Sequence, residues 1–173
     1  MRVFYALTFT PSSRQAITHL QQKLAAVAKR NQMVDCDNFH ITLEFVGEIS
    51  QDDLERYANV IEQLHVENRY VEVTSIGAFG RGKEKLIWLA ASQETWLMEL
   101  QQQLAKQLAK LGFEPETRGY IPHITLARHT QLDGHIEQLT MVPQQLQLDT
   151  VALMESRRDG KKLRYIPLKK LNL

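Results

Sequence analysis

A chain of 173 residues is long enough for one compact domain and short for two. With 43% hydrophobic and 24% charged residues it can bury a core, which excludes a disordered chain held open by its own charge. The formal net charge of +1 argues neither for nor against nucleic acid, and a lone cysteine, Cys36, excludes an internal disulfide and a cysteine-based zinc site.

Cys36 fits a reducing compartment and reads as a small apolar residue. The first apolar run, after Arg2, is short, breaks at Thr8–Pro11 and leads to no small-residue cleavage site, so it reads as a strand and not a signal peptide. No stretch approaches the ~20 apolar residues of a membrane span. The expectation is a cytoplasmic, soluble monomer with no membrane partner.

In chain order, residues 3–9 (VFYALTF) predict a buried strand. Thr10 or Ser12 can cap the following helix, with Pro11 tolerated in its first turn and Ile17, Leu20, Leu24 and Val27 as its apolar stripe. Residues 39–46 (FHITLEFV) predict a strand that Gly47 ends, and Ser50 with Asp53 resembles a capping box. Leu54, Tyr57, Ile61 and Leu64 then mark a second helix, and residues 70–76 a strand.

Residues 85–91 (KLIWLAA) begin a second half. Leu97, Leu100, Leu104, Leu108 and Leu111 line one face of a helix that Gly112 stops. Residues 121–127 (IPHITLA) predict a strand, and residues 146–155 and 163–168 a hairpin whose turn is signalled by Asp159-Gly160.

One repeat stands out. Strand, helix, then His40-Ile41-Thr42-Leu43 is echoed by strand, helix, then His123-Ile124-Thr125-Leu126, with the tetrapeptides 83 residues apart. The shared context, more than the tetrapeptide itself, predicts two lobes related by a pseudo-twofold axis. On a strand, alternate side chains share a face, so His40 lies beside Thr42 and His123 beside Thr125, with branched apolar residues behind. A neutral imidazole can take a proton from an attacking oxygen, an imidazolium can give one to a leaving oxygen, and hydroxyls can stabilise a five-coordinate phosphorus. His19, His65, His129 and His135 have no repeated partner and read as structural or exposed.

These motifs resemble those of the 2H phosphoesterase superfamily, which carries H-x-T twice, each copy on a strand. RVFYAL (2–7), NFHITLEFVGEIS (38–50), LGFEPETRGYIPHITLAR (111–128) and YIPL (165–168) extend the resemblance to the bacterial RNA 2′,3′-cyclic phosphodiesterases, first described as 2′-5′ RNA ligases. The resemblance implies His40 and His123 as the catalytic pair, His40 as the acid and His123 as the base. It implies Thr42 and Thr125 on the phosphate, Arg128 as a phosphate contact and Phe45 near the nucleoside. Simple alternation puts Phe45 on the face opposite His40, and only a bulge would bring it round. The activity implied is hydrolysis of RNA 2′,3′-cyclic phosphate ends to 2′-phosphates without metal or cofactor, with ATP-independent, reversible 2′-5′ joining as a lesser one. The fold expected is α+β, two similar lobes of antiparallel sheet in a single domain over 1–173, with helices outside and a cleft carrying both motifs.

Rival readings have weaker support. GAFGRGK (77–83) satisfies G-x-x-x-x-G-K, but Glu84 stands where a Ser or Thr should hold magnesium, and a strand follows where a helix should. There is no H-E-x-x-H and no carboxylate set at ligand spacing. Arg157, Arg158, Lys161, Lys162, Arg164, Lys169 and Lys170, against Asp159, could attract RNA in a non-catalytic binding module, or could simply solvate a hairpin. A phosphodiesterase for another cyclic phosphate or for a 2′-5′ linkage also remains open.

Overall fold

Alternating hydrophobicity in the first and the central strands and leucine spacing in the two long helices place one face of these elements in a common core. The computed structural model describes residues 1–116, 118–132, 134, 136, 139–160 and 162–173. His135 and Lys161, considered above, lie outside the described residues. In order the chain forms β1 (Arg2–Phe9), α1 (Pro11–Ala25), β2 (Ala28–Met33), β3 (His40–Glu48), α2 (Leu54–Asn59), β4 (Tyr70–Phe79), β5 (Lys85–Ala91), α3 (Thr95–Lys110), β6 (His123–Leu132), β7 (Gln144–Asp159) and β8 (Lys162–Asn172). Short 3-10 turns occupy Cys36–Asn38 and Val60–Gln63.

Every recorded strand pairing is antiparallel. The eight strands form one continuous sheet, within which two four-stranded sub-sheets, a first β3-β1-β7-β8 and a second β2-β6-β5-β4, are joined where β3 meets β6 and where β4 meets β7. This is the expected two-lobed α+β arrangement, with strands exchanged between the halves. β2 comes from the first half and borders the second sheet, and β7 and β8 come from the second half and complete the first.

The helices cover one side. Ile17, Leu20 and Leu24 of α1 and Leu97, Leu100, Leu104 and Leu108 of α3 share a buried cluster with Val3, Tyr5, Leu7, Ile41 and Ile124. A small second cluster, Phe4, Ala6, Ala152 and Met154 with Tyr165 against it, lies on the other face of β1. Thr10 caps α1, its hydroxyl accepting from the Ser13 N–H at 3.4 Å, and Gly112 leaves α3 at φ +86°.

Several local expectations are corrected. α1 stops before Val27, which is 40% exposed. β2 has no counterpart among the expected strands, because AKRNQM has no apolar alternation to betray an edge strand. Gly47 does not end β3, which runs on to Glu48. Gly47 instead sits at φ +91° in a bulge against β1, a backbone that glycine adopts at little cost. The second helix is short, and Ile61 falls in the 3-10 turn that follows it. Cys36 is exposed in its turn and not a buried apolar residue. The glycine-rich segment 77–83 lies at the β4–β5 hairpin, with Phe79 opposite Leu86. Gly77 leaves room for the Trp88 ring, which any Cβ there would meet.

Candidate active site

The two H-x-T segments meet at a single strand pair, Ile41 opposite Ile124. Both isoleucines are fully buried in the core, so the histidines and threonines at the flanking positions point to the other face. Continued one residue each way, that antiparallel register sets His40 across from Thr125 and His123 across from Thr42.

Both strands then bulge at the same place. Along β1, Tyr5 pairs with Glu44 and Ala6 with Thr42, leaving Leu43 as the extra residue. Along β5, Ile87 pairs with Ala127 and Trp88 with Thr125, leaving Leu126 as the extra residue. Each bulge inverts the alternation beyond it. Leu43 and Glu44 are consequently both buried, as are Leu126 and Ala127. Phe45, paired with Phe4, comes round to the face of His40, and Arg128 comes round to the face of His123. The six residues singled out by resemblance, His40, Thr42, Phe45, His123, Thr125 and Arg128, therefore share one face.

The imidazoles are held alike. Nδ1 of His40 lies 2.7 Å from the Asn38 carbonyl oxygen, and Nδ1 of His123 lies 2.7 Å from that of Ile121. A carbonyl can only accept, so each Nδ1 carries the proton and each neutral ring keeps its lone pair on Nε2. The Thr42 hydroxyl donates to His40 Nε2 at 3.0 Å. Aromatic rings flank both. Phe4 and Tyr165 lie 5.1 and 5.0 Å from His40, and Phe79 and Trp88 lie 5.3 and 5.8 Å from His123.

Burial pushes the pKa of His40 down to about 4, against the Asn38 hydrogen bond, which raises it. Charges on His123 and Arg128 act in the same direction as burial. The unfolded chain protonates this ring near pH 6.5, and the folded chain does so only near 4. Between those values the unfolded state binds the extra proton, so the ring's contribution is present above pH 6.5 and is lost as pH falls towards 4. The loss is at most about 1.4 kcal/mol per pH unit. Urea unfolding of the parent and of His40→Gln should therefore give a stability difference that moves against the parent as pH falls through this interval. A difference independent of pH would contradict the depressed pKa.

Some structure around the motifs had no signal in their spacing. The Tyr120 hydroxyl donates to the Thr42 carbonyl at 3.0 Å, tying the approach to the second motif onto the first. Behind it the carboxyl of Glu44, held above the usual carboxylate range chiefly by burial, accepts from Gln101 Nε2 at 3.2 Å. Asn38 and Ile121 stand two residues before each histidine and act through their backbone carbonyls, a role that no side-chain type signals. His19, His65 and His129 are exposed, and His129 Nδ1 meets Glu84 at 3.0 Å. Among the described residues one group of possible metal donors clusters, Asp35, Cys36 and Asp37, all exposed and including neither motif histidine. No helix among the described residues is long and apolar enough to cross a membrane.

A family model described as the 2′-5′ RNA ligase superfamily matches residues 9–160, which include both motifs. The chain belongs to that superfamily, within the 2H phosphoesterase class of enzymes. It is 28% identical over 131 residues to the RNA 2′,3′-cyclic phosphodiesterase of Methanothermobacter thermautotrophicus, covering 74% of this chain and 71% of that one. It is 27% identical over 128 residues to the protein of that name from Escherichia coli K12, covering 73% and 71%. Among solved structures, a protein of Thermus thermophilus superimposes with a TM-score of 0.82 at 22% identity, covering 100% of this chain and 98% of that one. Escherichia coli LigT in its apo form superimposes with a TM-score of 0.74 at 24% identity, covering 99% and 96%. These two likenesses are of fold.

Proposed function

We propose that this protein hydrolyses RNA 2′,3′-cyclic phosphate ends to 2′-phosphomonoesters without a metal, using His40 and His123 as an acid–base pair. The observation that supports this most directly is the Ile41–Ile124 pairing. It sets two Nδ1-anchored imidazoles on one face, each across from the other motif's threonine. The family and the names of the curated relatives point to the same substrate.

The reaction needs two proton transfers on opposite sides of one phosphorus. As the water oxygen bonds to phosphorus, Nε2 of one histidine takes its proton. As the bond from phosphorus to O3′ breaks, Nε2–H of the other gives a proton to O3′. The electron pair of the broken bond stays on O3′, and the phosphate remains on O2′. Thr42 and Thr125 donate to the non-bridging oxygens, and Arg128 supplies the compensating charge. A bound phosphate would take the Thr42 donor and free the lone pair on His40 Nε2. Phe45 lies on the same face at 45% exposure, where an aromatic ring can meet a nucleoside. With a 5′-hydroxyl in place of water, the same two transfers join RNA ends through a 2′-5′ linkage, and no ATP is required.

Turnover of a 2′,3′-cyclic nucleotide in excess chelator tests the reading, with the product identified by phosphorus NMR. The expected result is undiminished hydrolysis to the 2′-phosphate. Complete loss with EDTA, restored by a divalent ion, would falsify the metal-free mechanism. Hydrolysis of 2′-5′-linked dinucleotides alone would reassign the substrate.

A further inference from the structure

Beside the histidine face, a groove of about 710 Å³ runs between the end of β2, the Cys36–Asn38 turn and β8. Arg128 lies at its wall, and so does Tyr165, whose ring packs edge-on against His40. The groove is thus continuous with the site. Resting on the function proposed above, we infer that this groove holds the RNA strand on the 5′ side of the reacting cyclic phosphate.

Three features point to a polynucleotide. The first is charge. Arg128, Lys162 and Arg164 line the groove against Asp35 and Asp37. Asp37 is already paired with Arg14 at 3.3 Å, and the Asp35 carboxylate accepts the Asp37 N–H at 3.1 Å. Arg164 reaches Asp159 only at 4.0 Å, with its side chain 61% exposed. Its guanidinium can turn to a phosphate at small cost. The second is an apolar and aromatic surface between the charges, formed by Met33, Val34, Leu163, Tyr165 and Ile166, against which bases can lie.

The third feature is pre-organisation. Asn38 Nδ2 donates to the Leu163 carbonyl at 2.8 Å, and Asn38 Oδ1 accepts from the Tyr165 N–H at 3.2 Å. The same residue's carbonyl anchors His40 Nδ1. One residue therefore ties the groove's two walls together and sets the imidazole beside it. A cyclic phosphate is the 3′ end of its chain, so the rest of the strand must leave the pocket on the 5′ side. This groove offers it a path with basic side chains, apolar surface and the Tyr165 ring.

The test compares kcat/KM for a 2′,3′-cyclic mononucleotide with that for a short oligoribonucleotide carrying the same end. The parent is measured beside the double variant Lys162→Ala, Arg164→Ala. The parent should prefer the oligonucleotide, and the variant should lose that preference by about tenfold. The salt dependence for the oligonucleotide should become shallower by about 0.7 in log–log slope for each cation removed. An unchanged preference, or equal loss on both substrates, would overturn the inference. Binding of an oligoribonucleotide ending in a 3′-phosphate, followed by fluorescence anisotropy, separates it from the catalytic proposal. If the parent turned over neither substrate, the catalytic proposal would fail. Weaker binding by the double variant would still support the groove, and equal binding would refute it.

Discussion

Replacing His40 or His123 by alanine should lower kcat/KM on a 2′,3′-cyclic nucleotide by at least about 10²–10⁴-fold, the usual contribution of a positioned acid or base. The proposed mechanism requires one ring neutral and the other charged, so on that reading the parent's pH–rate profile should be bell-shaped, with limbs that belong to the pair. In the substrate-free protein, burial keeps His40 neutral at pH 7, which suits a proton acceptor. A bound phosphate anion acts in the opposite sense and favours the acid role implied by resemblance. A substrate with a much better leaving group separates the two roles. The alanine variant lacking the acid should be rescued, and the one lacking the base should not. Equal rescue of both would sink the asymmetric division, and full activity in either variant would sink the pair.

Arg128→Ala should reduce turnover by roughly one to two decades, given charge-assisted hydrogen bonds of about 1.5–3 kcal/mol. The bulge at Leu126 gives the expectation its physical basis, because without it Arg128 would lie on the core side of β6. Arg128→Lys keeps the charge but loses the planar fork, and should recover activity only in part. Since Arg128 also contributes to the depressed pKa of His40, the alanine variant should shift one limb of the pH profile as well as the rate. Parent-like rates in both variants would remove Arg128 from the phosphate site.

The difference between the legible and the illegible parts of this fold follows the range of the interactions. The cap at Thr10, the leucine face of α3, the Gly112 stop and the chain reversal at Gly160, one residue past the paired Asp159, depend on neighbours a few residues away, and all can be read along the chain. The repeated H-x-T on a strand also encodes locally that an imidazole and a hydroxyl share a face, because alternation is a property of one strand.

The faces of Phe45 and Arg128 could not be read in that way. A bulge is a two-against-one count across a strand pair, and only the partners β1 and β5 decide it. The polar edge strand β2 gains its place from pairing with β6, and the exchange of β7 and β8 into the first sheet follows from contacts far apart in sequence. Tyr165 illustrates the limit. Its ring lies against His40, 125 residues away in the chain, and no local pattern carries that distance. The chain by itself determined the paired imidazoles and hydroxyls to which the proposal assigns the chemistry, and the two strands that carry them. Only tertiary pairing decided that these groups share one face and which basic groove adjoins them, because register and bulges arise between strands and not within them.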